Sequence, residues 1–170
     1  HLETGDTGLD PREVNIHQLV EAVLDGLREM ADKKKVQLKN SVPENLTLFA
    51  DSQRLFQALN NLVENGIKYG GQCVRVSASQ SDGELDLCVV DDGPGIPAEV
   101  CDRIFERFFR VDKARSREMG GTGLGLSIVK HITQLHGGTA RVESELGQGA
   151  RFHLTFPIRN MTTGIQAEAT

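Results

Sequence analysis

Residues Gly120-Gly121-Thr122-Gly123-Leu124-Gly125 run directly into the amphipathic stretch Leu126-Ser127-Ile128-Val129-Lys130. A loop with this much glycine lets backbone N–H groups approach an anion, and the helix that follows adds the positive end of its dipole. The spacing is G-x-G-x-G behind a charged segment. It therefore fits neither a dinucleotide fingerprint, which follows a strand, nor G-x-x-x-x-G-K-[ST]. Two other unusual segments precede it: Asn61-Leu62-Val63-Glu64-Asn65-Gly66-Ile67-Lys68-Tyr69 and Asp91-Asp92-Gly93-Pro94-Gly95-Ile96-Pro97. Together the three can supply a metal ligand, a base-reading carboxylate and a phosphate cradle, which is the inventory of a nucleotide site.

At 170 residues the chain is long enough for one domain with a real core. A net charge of −5 argues against a general nucleic-acid or anionic-membrane surface. Against that background, Arg103, Arg107, Arg110, Lys113, Arg115 and Arg117 form a local basic cluster. It suits a small anionic ligand, although a solvated charged face explains it too. Cys73, Cys88 and Cys101 are odd in number and lack C-x-x-C spacing, so a reduced, cytoplasmic setting is expected. The sequence shows neither a signal peptide nor an apolar run of spanning length.

Residues 15–33 carry apolar side chains at helical spacing. Residues 36–40 and 46–50 read as short strands. Asp51 or Ser52 can cap a second helix running to about Tyr69. Residues 74–79 and 85–90 read as strands joined by Ser81-Asp82-Gly83. Residues 97–107 read as a helix with proline in its first turn. Residues 110–122 are polar and end in glycine, as in a mobile loop. A third long helix is expected over 124–135, then strands over 139–144 and 150–156 around Gly147-Gln148-Gly149. Helices alternating with strand pairs predict an α+β fold: a mixed, mostly antiparallel sheet of about five strands covered by three main helices.

On the second helix, Leu55, Phe56, Leu59, Leu62, Val63 and Ile67 form a core face, and Asn61, Asn65 and Lys68 form a second stripe. Asparagine is a poor helix former, so Asn60, Asn61 and Asn65 in mid-helix are unusual. An amide oxygen is a hard neutral ligand suited to Mg²⁺. An ordinary polar helix face explains the same stripe. Lys68 can meet a phosphate as a point charge, and Tyr69 can lie against a base. Asp91 follows an apolar strand and precedes Gly-Pro-Gly, where a carboxylate can accept the exocyclic amine of adenine. The alternative is an acidic hairpin turn. Phe105, Phe108 and Phe109 read as a hydrophobic plug below the 110–122 loop, with Arg107 and Arg110 between them. His1, His17, His131, His136 and His153 have no metal-ligand spacing and read as surface or packing residues.

The ordered set resembles the ATP-binding catalytic domain of two-component sensor histidine kinases, within the wider family of gyrase-type and heat-shock-chaperone ATPases. Asn61–Tyr69 is similar to the N box, Asp91–Pro97 to the G1 box, Phe105–Val111 to the F box and Gly121–Leu126 to the G2 box. Gly147–Phe152 matches the terminal G-x-G turn. The stretch from Phe105 to Arg117 looks most like phosphate-responsive sensor kinases. The resemblance implies a two-layer α/β sandwich with a flexible ATP lid. It implies that Asn65, with Asn61, holds Mg²⁺, that Lys68 and Arg107 face the phosphates together with Arg110, and that Tyr69 packs on adenine. Asp91 would read the adenine amine, with Gly93, Gly95 and Ile96 approaching the ring. Gly121, Thr122, Gly123, Leu124 and Gly125 would cradle phosphate. Residues 14–158 would be this domain, residues 1–13 a junction after a helical dimerisation and phosphoacceptor domain, and residues 159–170 a loose tail.

No histidine of the chain has the H-[ED]-x-R-T-P context of a phosphoacceptor, so the chain reads as the catalytic part of a larger kinase. The expected partners are its own helical domain and a response regulator, in a homodimeric, membrane-anchored sensor whose catalytic part is cytoplasmic. No nucleic acid and no direct membrane contact of this part are expected. The main rival is a water-hydrolysing ATPase. Those relatives carry Glu four residues before the metal-binding Asn, where this chain has Asn61. Glu64 lies about 100° around the helix from Asn65 and is a poor substitute. A non-catalytic ATP-binding module is the second rival.

Overall fold

The computed structural model describes residues 8–107, 109 and 125–158. The elements in order are β1 (Arg12–Asn15), α1 (Ile16–Lys33), β2 (Gln37–Asn40), β3 (Thr47–Ala50), α2 (Ser52–Tyr69), β4 (Cys73–Ser81) and β5 (Glu84–Asp91). A 3₁₀ helix (Ala98–Arg103), α3 (Gly125–Leu135), β6 (Thr139–Ser144) and β7 (Ala150–Pro157) follow. The expected N-terminal junction at residues 1–7, the 110–122 loop and the tail at 159–170 lie outside the described residues.

Five strands form one sheet in the order β2-β4-β5-β7-β6. Only β2 and β4 run parallel; the other neighbours are antiparallel. Alternation fixes which face packs against the helices, although Cys88 on the other face is buried too. Leu85, Leu87, Val89 and Asp91 of β5 point inward beside Phe152, Leu154 and Phe156 of β7, while Asp86, Val90, Arg151 and His153 point to the other side. A slip of one residue would turn the whole apolar set outward, so the pattern holds the register. Helices α1, α2 and α3 cover the inner face, giving a two-layer α/β sandwich.

The first two helices have a local reason to begin where they do. The Asn15 side chain accepts the Gln18 amide at 2.9 Å and caps α1. Asp51 caps α2 by accepting the Arg54 amide at 3.1 Å. Leu55, Leu59, Leu62, Val63 and Ile67 of α2 are buried, as their spacing predicts; Phe56 is only half-buried. Truncating such a leucine to alanine typically costs about 2–5 kcal/mol.

Two expectations need correction. Residues 12–15 form a strand that the sequence did not announce, and it pairs with β3 in a separate two-stranded sheet. The segment is four residues long with a single apolar side chain, Val14, so no alternation is visible until its partner is in place. Residues 97–107 do not form an α-helix. A 3₁₀ helix spans only Ala98–Arg103, with Pro97 at its cap.

Asp51 joins three distant parts of the chain. Its Oδ2 accepts the Asp10 amide at 2.9 Å, its Oδ1 caps α2, and its own amide donates to His136 Nε2 at 3.1 Å. The His136 Nδ1 side meets the Ile132 carbonyl at 2.8 Å, and the ring stands edge-on to Phe156. Burial opposes ionisation of Asp51, but the amides of Asp10, Arg54 and Gln53 outweigh it and hold the carboxyl below the usual range. A carboxyl lowered in the fold adds stability above its unfolded pKa and loses it as pH falls through the folded value. Asp51→Ala is therefore expected to cost about 1–2 kcal/mol at neutral pH. Urea unfolding at pH 7 and below about pH 4 checks this: the cost should shrink in acid, and an equal cost at both would contradict the assignment.

Candidate nucleotide site

The C-terminal turn of α2 packs against the end of β5. A side chain on Gly70 would strike the Gly66 carbonyl, and it would lie 3.0 Å from Asp91 Cβ. A Cβ on Gly93 would lie 2.5 Å from Gly70 Cα. Helix and strand therefore meet backbone to backbone, and Asp91 sits in the seam with 9% of its surface exposed. One oxygen of Asp91 accepts the Gly93 amide at 2.9 Å. Burial pushes its carboxyl above the usual range; the Gly93 and Ala150 amides oppose the shift, and Asp92 adds to it. A buried carboxyl perturbed in this way is a candidate binding group. Asp92 behaves differently. Its Oδ1 accepts the Gln72 and Cys73 amides at 2.7 and 3.0 Å, which lowers its carboxyl and ties the start of β4 to the end of β5.

The turn after Asp91 is clamped to the β6–β7 hairpin. The Gly147 amide donates to the Pro94 carbonyl at 2.7 Å, and the Ile96 amide donates to Ser144 Oγ at 2.7 Å. Ser144 Oγ in turn donates to the Gly149 carbonyl at 2.7 Å. Gly95 has φ +81 and abuts the Glu145 carbonyl, so both its conformation and its surroundings favour glycine. The clamp fastens the turn that carries Gly93, Gly95 and Ile96 to the hairpin next to Asp91. Ser144 escaped the sequence reading. The G-x-G hairpin at 147–149 is the only nearby signal for it.

On α2, Asn61, Asn65, Lys68 and Tyr69 are all partly exposed. The Asn61 side-chain amide donates to the carbonyl of Gly125 at 3.3 Å, joining α2 to the first residue of α3. Lys68 Nζ lies 3.1 Å from Glu64 Oε2, a pairing the sequence reading did not consider. Arg107 is exposed. Arg103 of the basic cluster is spent locally, pairing with Glu106 at 3.4 Å and lying over the Phe109 ring at 4.8 Å. Phe105 is buried edge-on against Phe152, as expected of a plug, and Phe109 packs against the same core. Phe108, Arg110, Gly121, Thr122, Gly123 and Leu124 lie outside the described residues.

Among the described residues no three His, Cys, Asp or Glu side chains gather as a metal site. His17 meets the Val42 carbonyl at 2.7 Å, and His153 lies between Asp86 and Glu143 on the outer sheet face. No described helix is long and apolar enough to cross a membrane.

Residues 50–160 match the family described as histidine kinase-, DNA gyrase B-, and HSP90-like ATPase, and the chain belongs to that family. It is 41% identical to the sensor-like histidine kinase SenX3 of Mycobacterium tuberculosis over 147 residues, which is 85% of this chain and 36% of that protein. It is 39% identical to the adaptive-response sensory kinase SasA of Synechococcus elongatus over 158 residues, which is 91% of this chain and 40% of that protein. The chain thus spans well under half the length of these relatives. Among solved structures, the catalytic domain of histidine kinase ThkA superposes with a TM-score of 0.77 at 29% identity, covering 88% of this chain and 97% of that one. Full-length ShkA in complex with AMPPNP gives 0.77 at 33% identity, over 89% of this chain and 32% of that one. The α+β fold and the ATP-binding domain of sensor-kinase type are thereby established.

The Asp91 carboxyl has a stability consequence. A carboxyl raised in the fold gives its stability below the unfolded pKa and loses it as pH rises through the folded value. Asparagine keeps an acceptor for the Gly93 amide without a charge. Asp91→Asn should therefore gain on the wild type in urea unfolding as pH rises from about 4 to 7. A difference that stays flat over that range would contradict the burial argument.

Proposed function

We propose that this domain binds Mg-ATP and donates the γ-phosphate to a histidine on a separate helical dimerisation domain of the same sensor kinase. The observation that carries the reading is the buried Asp91 carboxylate between α2 and the glycine wall of residues 93–95. In this reading Asp91 accepts the adenine amine, Tyr69 packs on the ring, and the backbone at Gly93, Gly95 and Ile96 shapes the slot. Lys68 and Arg107, with Arg110, face the phosphates. Gly121, Thr122, Gly123, Leu124 and Gly125 supply amides to them.

The residues present fit a magnesium ion held mostly by nucleotide and water. Asn65 and Asn61 offer neutral amide oxygens, and Asn61 uses its nitrogen, not its oxygen, to hold Gly125. Bound Mg²⁺ would neutralise phosphate charge. The chain itself would bind, orient and exclude water, which is most of what phosphoryl transfer asks of a protein.

Two observations weigh against the hydrolase rival. Asn61 stands where a general base is needed, and its amide takes no proton near neutral pH. Glu64 lies about 100° around the helix from Asn65, a poor place from which to replace that base. The whole protein would be a homodimeric, membrane-anchored sensor with this part in the cytoplasm, acting on a response regulator. No role with nucleic acid is assigned, nor any direct membrane contact of this part.

Incubation with γ-labelled ATP tests the proposal. The chain alone is expected to bind nucleotide, release phosphate slowly and carry no label. Adding a helical domain bearing the acceptor histidine should produce labelled histidine in trans, slowly because the tether is absent. Rapid phosphate release by the lone chain, abolished by Glu64→Gln, would overturn the kinase reading in favour of the hydrolase.

A further inference from the structure

Glu64 and Lys68 form the most sheltered Lys- or Arg-to-carboxylate pair among the described residues. Their side chains are 20% and 34% exposed for Lys68 and Glu64, whereas the other such pairs range from 49% to 85%. Around α2, Lys68 lies about 60° from Asn65 and about 40° from Glu64, between the two. The carboxylate therefore draws the ammonium to the side away from Asn65. A lysine this sheltered gains from an anion beside it. Glu64 supplies that anion when no phosphate is present.

We propose that Glu64 is a positioning residue that holds Lys68 and competes with nucleotide phosphates for it. The inference rests on the reading that Lys68 faces the phosphates. Binding then exchanges one anionic partner of Lys68 for another. The exchange is felt only by ligands that carry phosphates. Nucleoside di- and triphosphates meet the competing carboxylate, and a bare nucleoside does not. Glu64 thus lowers affinity for the phosphate tail while leaving the adenine slot at Asp91 untouched. It also returns Lys68 to a defined place when the nucleotide leaves.

Calorimetry with magnesium-ATP and with adenosine tests this on the wild type, Glu64→Gln, Lys68→Met and the double variant. Glu64→Gln is expected to bind ATP about three- to tenfold tighter, a range set by a half-sheltered ion pair, and to bind adenosine as the wild type does. In the Lys68→Met background the same change should alter ATP affinity by less than about twofold. Glu64→Asp, which shortens the reach to Lys68, should shift ATP affinity the same way by less. The inference is overturned by unchanged or weaker ATP binding in Glu64→Gln. It is equally overturned by an equal shift for adenosine, or by a full effect without Lys68. If the wild type bound neither ligand, the nucleotide reading itself would fail, which separates the two claims.

Discussion

The backbone contact between Gly70 and Gly93 is the constraint on which the rest of the site depends. It lets the last turn of α2 close onto the end of β5 with no side chain between them. Only then does the helix that carries Asn61, Asn65 and Lys68 close, through Gly66 and Gly70, onto a carboxylate that belongs to the sheet. The contact would mean little if the turn after Asp91 could drift. The hairpin clamp through Pro94, Ile96, Ser144 and Gly147 prevents that. Two loops far apart in sequence thereby act as one wall, and the wall holds an acidic group under a seam that water enters poorly.

That placement carries a cost in the free protein. Asp91 is ionisable, buried and beside Asp92, so its charged form is disfavoured in the fold. A structural residue at this position would serve better as a neutral amide. The site thus stores unfavourable electrostatics that a ligand donor can relieve, which is a common signature of a binding group. Elsewhere the chain does the opposite. Asp51 and Asp92 are lowered by backbone amides and add to stability.

The site was legible in the sequence where local chemistry broke a local rule. Asparagines in mid-helix and a carboxylate ending an apolar strand are exceptions that packing alone does not require. The helices and the five strands of the main sheet were legible from periodicity. What stayed hidden depends on distant partners. Strand β1 is four residues long and acquires a pattern only when β3 lies beside it. The Asp51–His136 bond spans 85 positions and has no sequence signal. The Glu64–Lys68 spacing was readable as an i, i+4 pair. Its shelter, which sets it apart from the other pairs, was not. Residues 97–107 misled because proline and charge suit an α-helix start, whereas the segment that packs against β6 is a short 3₁₀ helix.

The central claim is that the buried Asp91 carboxylate selects the nucleotide by its exocyclic amine. Comparing the affinities of ATP and inosine triphosphate, which carries an oxygen in place of that amine, tests it directly. An oxygen facing a buried carboxylate leaves both acceptors without a donor, a loss of about 1–3 kcal/mol. ATP is expected to bind about five- to 150-fold tighter, and Asp91→Asn should erase most of the difference. Equal affinity of the wild type for the two nucleotides would contradict the account.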